Sequence, residues 1–200
     1  MELTFDGLVK VTLEPAARQL AAANARLQTP LSAPASALPE VVLEELWQKA
    51  ALIDLLRLLG VLLPPRERVW WACLAARDYL GAAPLTPSVT AAEAWVFKPG
   101  DGTRQVAVEC LQAVPVEDDT GHCAMAVAYA DGRLGPGEMA RYLAPPGAAQ
   151  AAAFAMNMVA LGARSDMFQS YGRALVARGI DIARGGNGRV PVPEQQGEAG

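Results

Sequence analysis

The segment from Val69 to Ala76 is apolar at every position and contains two adjacent tryptophans. Pro65 precedes it, where proline commonly starts a helix, and Gly81 follows it, where glycine commonly ends one. A helix that is apolar all round has to be covered by other elements on every side. The sequence therefore predicts a fold built around one central helix, which runs from Pro65 to about Leu80.

Trp70 and Trp71 of this segment point about 100° apart, because an α-helix has 3.6 residues per turn. They are therefore expected to pack against different neighbouring helices. Buried tryptophans mostly fill cores and satisfy their single N–H group, so we interpret Trp70, Trp71 and the later Trp95 as core residues. The alternative is that Trp70 or Trp71 borders a pocket for a ligand or a partner.

Prolines, glycines and the spacing of apolar residues predict seven further helices. Alanine and leucine supply most of the hydrophobicity and aromatic residues make up only 6% of the chain, which favours closely packed helices over a sheet. We expect an all-α, single-domain fold, either a multi-helix bundle or a short α-solenoid of about eight helices. The further helices are predicted at residues 16–27, 39–59, 87–97, 101–114, 118–130, 148–161 and 166–183.

The two ends of the chain differ in character from this helical part. Residues 1–14 are predicted to form an N-terminal arm, in which residues 3–11 have a strand-like pattern. Residues 15–184 are predicted to be the helical domain. Residues 185–200 are rich in glycine, proline and glutamate and are predicted to be a flexible tail.

Charge and hydropathy exclude several functional classes. The net charge of −4 argues against a nucleic-acid-binding protein, which usually presents a basic surface. The most apolar run, residues 52–63, contains Asp54 and Arg57 and is too short to cross a bilayer, so no membrane insertion is expected. The first residues lack the basic and apolar parts of a secretory signal, and the three cysteines have no CxxC spacing. These features predict a cytoplasmic location.

Candidate reactive residues are few. His122 is the single histidine and adjoins Cys123, but neighbouring residues on a helix point apart, so His122 would have to meet Cys73 or Cys110 across the fold. A metal site would need a fourth ligand at a recognisable spacing, which the sequence lacks. The carboxylates at 117–119 stand at a predicted helix start, where acids complement the helix dipole. We therefore assign no catalytic, metal-binding or cofactor-binding residues, expect no cofactor, and favour a role without enzymatic activity.

The charged residues are unevenly distributed along the chain. Residues 93–138 contain eight carboxylates and three basic residues, whereas residues 164–189 contain five arginines and two aspartates. This asymmetry favours a charged partner or head-to-tail association of copies of the chain into a homo-oligomer. On the last predicted helix, we select Tyr171, Arg173, Arg178 and Arg184 as candidate partner-binding residues.

The tryptophan segment also carries a family resemblance. Residues 65–77, PRERVWWACLAAR, together with the leucine-rich run and the proline pair before them, resemble a bacterial family known only as a domain of unknown function. Weaker similarity extends to residues 92–96 and 179–185, so the resemblance covers about residues 38–185. The chain departs from the pattern at His122 and Cys123, where a tryptophan–alanine pair is expected. The resemblance implies a place near type VI secretion genes and adaptor genes, and it implies no established activity.

Two hypotheses follow from these observations. The first is a non-enzymatic helical adaptor, chaperone or scaffold that binds another protein, in a bacterial secretion system. The second is a small-molecule-binding protein or enzyme with a pocket near Trp70, Trp71, Cys110 and His122. A closed core with an exposed apolar groove favours the first hypothesis, and a deep pocket that converges on His122 favours the second.

Overall fold

The computed structural model describes residues 3–113, 115 and 117–191, and within them it is helical. No strand occurs in these ranges, and one isolated bridge pairs Arg133 with Leu143. The prediction of an all-α fold is confirmed. Two 3-10 helices, Gly137–Arg141 and Ser165–Met167, accompany the α-helices, which in chain order are α1 (Ala16–Ala22), α2 (Pro39–Gln48), α3 (Leu52–Leu62), α4 (Pro65–Leu80), α5 (Pro87–Phe97), α6 (Asp101–Ala113), α7 (Gly121–Ala128), α8 (Ala148–Gly162) and α9 (Phe168–Ala183).

Helix α4 lies at the centre of the fold, as its apolar sequence predicts. It packs against α5, α7, α8 and α9, and α3 packs against α8 and α9. Val69 and all residues from Trp71 to Ala76 are buried. In a solenoid each repeat contacts only its neighbours in sequence, so these contacts between distant helices make the fold a single-domain helical bundle.

Trp71 holds the central helix against the last one. Its side chain is completely buried, and its indole N–H donates to the backbone oxygen of Leu175 in α9 at 3.1 Å. Gly179, one turn further along α9, faces α3 and α4 so closely that a Cβ atom there would lie 2.9 Å from Leu59 Cδ1 and 3.4 Å from Trp71 Nε1. The missing side chain therefore allows the close helix contact.

The long helix predicted from Pro39 to residue 59 is wrong, because it is two helices. Helix α2 ends at Gln48, and Ala50 adopts a left-handed conformation with φ +51°. The N–H of Ala51 then donates to the oxygen of Leu46, a hydrogen bond that commonly closes a helix end. Glycine usually occupies the left-handed position, and the alanine here gives no sign of the break in the sequence.

Gly60 does not end a helix, although it stands where a terminal glycine is expected. Helix α3 continues to Leu62, and at Gly60 it lies so close to α8 that a Cβ atom would be 3.3 Å from the backbone oxygen of Gln150. Backbone carbonyl oxygens at the end of α3 accept hydrogen bonds from the buried side chain of Arg68. It donates to the oxygens of Gly60 and Leu63 at 2.6 and 2.7 Å. This glycine therefore serves helix packing.

The N-terminal arm lies against the bundle without forming a strand in its described part. The N–H of Lys10 donates to the oxygen of Ala183 at 2.9 Å, and Phe5 is buried with its ring 5.9 Å from that of Trp47 in α2. Helix α1, expected to reach residue 27, ends at Ala22. Among the described helices, none has the length and hydropathy needed to span a bilayer.

We predict that Gly147→Ala destabilises the bundle much more than Gly137→Ala does. Both glycines have positive φ, +81° and +62°, so alanine costs about 1–2 kcal/mol at either position. A Cβ atom at Gly147 would also collide with the backbone carbonyl of Ala23, whereas Gly137 has open space around it. The expected difference is about 2 kcal/mol in the free energy of unfolding, measured by urea denaturation. Equal losses would contradict the collision.

Candidate functional site

The thiols and the histidine singled out in the sequence do not form one site. Cys73 and Cys123 are fully buried, and a hydrogen bond with Cys123, together with burial, raises the pKa of the Cys73 thiol and keeps it protonated. Cys110 lines a cavity of about 300 Å³ beside Ser88 and Glu109, and His122 does not line it. The described residues include no cluster of potential metal ligands.

Two of the four predicted partner-binding residues lie inside the fold. Tyr171 and Arg178 are buried and both donate to Asp78 Oδ2, at 2.9 and 2.8 Å. Arg164 joins this network, since it donates to the backbone oxygen of Asp78 at 2.8 Å and lies over the Tyr171 ring. Burial and the Asp78 carboxylate raise the pKa of Tyr171. These residues tie α4 to α9 and are not available to a partner.

The other two predicted residues, Arg173 and Arg184, are exposed, but each already contacts other residues of the chain. The Arg173 guanidinium lies 5.4 Å from the Trp47 ring centroid. Arg184 donates to the backbone oxygens of Thr4 and Asp6 at 2.9 Å each, and to the Asp6 carboxylate at the same distance. Arg184 therefore fixes the N-terminal arm on the end of α9.

The arm, α2 and the segment before α2 enclose an open groove of about 890 Å³, which we call the α2 groove. Exposed residues of α2 form one side, because positions i, i+4 and i+8 of a helix lie on one face. The arm and the chain around Ser32 form the other sides. The lining residues are Thr4, Phe5, Asp6, Ser32, Ala33, Glu40, Val41, Glu44, Glu45, Gln48 and Lys49.

The α2 groove is acidic, with four carboxylates and one lysine in its lining. Glu45 is engaged internally, since it accepts from Lys49 Nζ and from the amides of Ser32 and Ala33. Those hydrogen bonds, that from Lys49 first, lower the pKa of Glu45 from 4.5 to about 2. Glu40 and Glu44 pair with no basic side chain in the described part of the chain, and their charge is open to a partner.

Exposed apolar side chains border the acidic residues of the groove. Val41 lies in the groove and is 52% exposed, and Leu38 and Leu13 beside it are 39% and 82% exposed. Leu13 and Leu38 line a small adjoining depression to which Glu40 also belongs. Negative charge and apolar surface are thus continuous at this end of α2.

A further cavity, of about 480 Å³, lies where α4 begins, α5 ends and the chain leaves α9. We call it the Trp70 pocket. Trp70 is half-buried, and its indole N–H donates to the backbone oxygen of Asn187 at 2.8 Å. Its lining residues are Lys10, Arg66, Glu67, Trp70, Val96, Phe97, Ile182, Gly185, Gly186, Asn187 and Arg189.

The Trp70 pocket combines two aromatic rings with basic side chains. The ring centroids of Trp70 and Phe97 are 6.3 Å apart and their planes are inclined at 60°. Three basic residues and one carboxylate line the pocket, and the carboxylate of Glu67 already pairs with Lys10 at 2.9 Å. The local excess of positive charge contrasts with the net charge of −4 of the whole chain.

The sequence matches the profile of DUF6931, a family of unknown function, over residues 42–183. The chain belongs to this family. The match runs from Val42 in α2 to the last residue of α9. Outside it lie the arm, residues 32–41 of the α2 groove, and the chain after α9 that lines the Trp70 pocket. The searches of curated proteins and of solved structures gave no match.

Sequence reasoning placed Trp71 and Trp95 correctly in the core, but it also placed Trp70 there and missed the residues that define the cavities. Trp71 and Trp95 are buried, whereas Trp70 lines a pocket. Charged residues on either side of the tryptophans reach other elements of the fold. Arg77 pairs with Glu93 of α5, and the Nε of Arg66 donates to the oxygen of Val96 at 2.7 Å. No local sequence pattern predicts these contacts, because the two partners in each are 16 or 30 residues apart in the chain.

We predict that Asp78→Asn lowers the free energy of unfolding by about 3 kcal/mol, since it leaves the buried Arg178 guanidinium without its carboxylate. The exposed Asp166 provides a matched control, and Asp166→Asn is expected to change stability by less than about 0.5 kcal/mol. Urea denaturation of both variants measures the difference. Similar stabilities would contradict the importance of the ion pair.

We predict that the stability contributed by the Glu45 carboxylate is lost in acid. Because folding lowers the pKa of Glu45 from 4.5 to about 2, the contribution is complete above pH 4.5 and declines as the pH falls towards 2. The wild type should therefore be more stable than Glu45→Gln near neutrality, and the difference should shrink across this range. Urea denaturation at several pH values measures it, and a difference that does not change with pH would contradict the prediction.

Proposed function

We propose that the protein is a non-enzymatic adaptor that binds a basic, apolar segment of another protein in the α2 groove. The observation that carries this proposal is the continuity of open carboxylates and exposed apolar side chains along α2, at Glu40, Val41 and Glu44. Exposed apolar surface bordered by charge is typical of protein-interaction sites.

The groove fits a short segment better than a whole domain. Helix α2 has ten residues and is therefore about 15 Å long at 1.5 Å per residue. A partner segment laid along it would place apolar side chains on Val41 and Leu38. Lysine or arginine side chains of that segment would face Glu40 and Glu44. Burial of the apolar contacts would supply affinity, and the rim charges would set the association rate and its dependence on salt.

The positions of the reactive residues also support a binding role. The buried thiols of Cys73 and Cys123 are withdrawn from solvent, and His122 lines none of the cavities described above. The pocket that converges on His122, expected of an enzyme, is therefore not among these cavities. The resemblance carried by residues 65–77, which implies a place near type VI secretion genes, motivates the wider setting that we propose: a cytoplasmic adaptor in a bacterial secretion system.

Site-specific photo-crosslinking in the producing cells tests the proposal. A photoreactive phenylalanine replaces Val41 in one variant and Val106 of α6 in the control, residues of similar exposure at 52% and 48%. We expect the label at position 41, and not that at 106, to capture a protein whose crosslinked segment, mapped by mass spectrometry, contains lysine or arginine among apolar residues. Charge reversal at Glu44 should reduce capture.

The chain provides a matched control for that charge reversal. Glu44 accepts a hydrogen bond from Gln48, and Glu109 accepts one from Gln105, each four residues away on an exposed helix face. Glu44→Lys should reduce capture at position 41 by about tenfold, as expected for a loss of ~1.4 kcal/mol, while Glu109→Lys should leave it unchanged. Equal capture at positions 41 and 106, a segment without basic residues, or a crosslink to a second copy of the chain would overturn the proposal.

A further inference from the structure

We propose that the Trp70 pocket binds a small organic anion that carries an aromatic ring. This site contacts the arm at Lys10, whereas the α2 groove contacts it at Thr4, Phe5 and Asp6, and the inference does not depend on the adaptor proposal. Its volume of about 480 Å³ falls in the range of small-molecule sites, which typically enclose about 300–1,000 Å³. The inference depends on three features of the pocket: its charge, its aromatic surface and its fixed wall.

The basic side chains of the pocket point to an anionic ligand. The Nε of Arg66 donates to the Val96 oxygen, which orients the guanidinium and leaves its two terminal nitrogens for a ligand. Arg66 and Arg189 pair with no carboxylate in the ranges that the structure describes. The planar guanidinium matches the geometry of a carboxylate or a phosphate and forms paired hydrogen bonds with it.

The two aromatic residues point to a ring on that anion. Phe97 is 73% exposed and stands beside Trp70, so the two rings together present an aromatic surface to the pocket. The N–H of Trp70 is already bonded to Asn187, so the indole can offer a ligand its ring surface and no donor. Aromatic groups prefer offset or edge-on contacts with such rings, at centroid distances of about 4.5–7 Å.

The segment after α9, which forms one wall of the pocket, is held in place by hydrogen bonds within the chain. Asp181 accepts from the N–H of Gly188 at 2.8 Å, and Arg178 donates to the Gly188 oxygen at 3.1 Å. A Cβ atom at Gly186 would collide with the Asp181 carboxylate, and one at Gly188 would lie 2.7 Å from Leu74 Cδ1. Only glycines allow this close approach. A preformed wall lowers the entropic cost of binding.

NMR on the full-length protein tests the proposal through its four tryptophan indole N–H signals. Trp70→Phe identifies the Trp70 signal. The ligands are 1-naphthoate, adenosine monophosphate, the neutral 1-naphthalenemethanol and inorganic phosphate. We expect naphthoate or the nucleotide to shift the Trp70 signal more than those of the buried Trp71 and Trp95, and the better of the two shows whether the site takes a carboxylate or a phosphate. The neutral alcohol and inorganic phosphate should bind at least about tenfold more weakly, ~1.4 kcal/mol.

Variants show whether the basic residues carry the binding. Arg66→Gln should weaken binding about tenfold, ~1.4 kcal/mol, and Arg189→Gln, outside the helices, gives a second variant that spares α4. Arg141→Gln, at an exposed arginine elsewhere, should leave affinity unchanged. The proposal is overturned if neither anion moves the Trp70 signal at about 5 mM, a concentration beyond even millimolar affinity, or if the neutral alcohol binds equally well. Unaltered binding in both pocket variants would also overturn it.

Discussion

The packing of α4 against α9 is the contact on which the rest of the structure depends. Trp71 fills the space between them and bonds to Leu175, and Gly179 lets the helices approach closely. This contact fixes where α9 ends. The end of α9 in turn holds the arm, through Arg184 and the oxygen of Ala183, and it starts the segment that walls the Trp70 pocket. The shapes of the α2 groove and the Trp70 pocket therefore depend on the packing of α4 against α9.

Buried charges complete this contact in a way that apolar packing alone does not. A hydrophobic interface between helices tolerates small sliding movements, whereas Asp78 accepts from Arg178 and Tyr171 only in one register of α4 and α9. Arg68 similarly bonds to the last carbonyls of α3 and sets its angle to α4. Buried ion pairs contribute little net stability once desolvation is counted, and their value lies in selecting one arrangement. In this bundle Asp78 sets the register of α4 and α9, and Arg68 holds the end of α3 against α4.

The central helix was predictable because its evidence is local: eight apolar residues in succession, after a proline and before a glycine. The division of α2 from α3 was not, because the left-handed residue is Ala50 where a glycine would have marked it. The cavities were hidden for a different reason. The α2 groove joins Asp6 to Glu44, and the Trp70 pocket joins Lys10 to Arg189. Such juxtapositions arise from the tertiary fold, which no periodicity encodes.

The arm connects the two candidate sites physically. Asp6 lines the α2 groove and Lys10 lines the Trp70 pocket, and only the turn at Gly7, with φ +68°, and two residues separate them from each other. Arg184 and the Ala183 oxygen hold this short stretch from one side. Asp6 and Lys10 therefore share the anchoring contacts at the end of α9, and a change that breaks those contacts would disturb both the α2 groove and the Trp70 pocket.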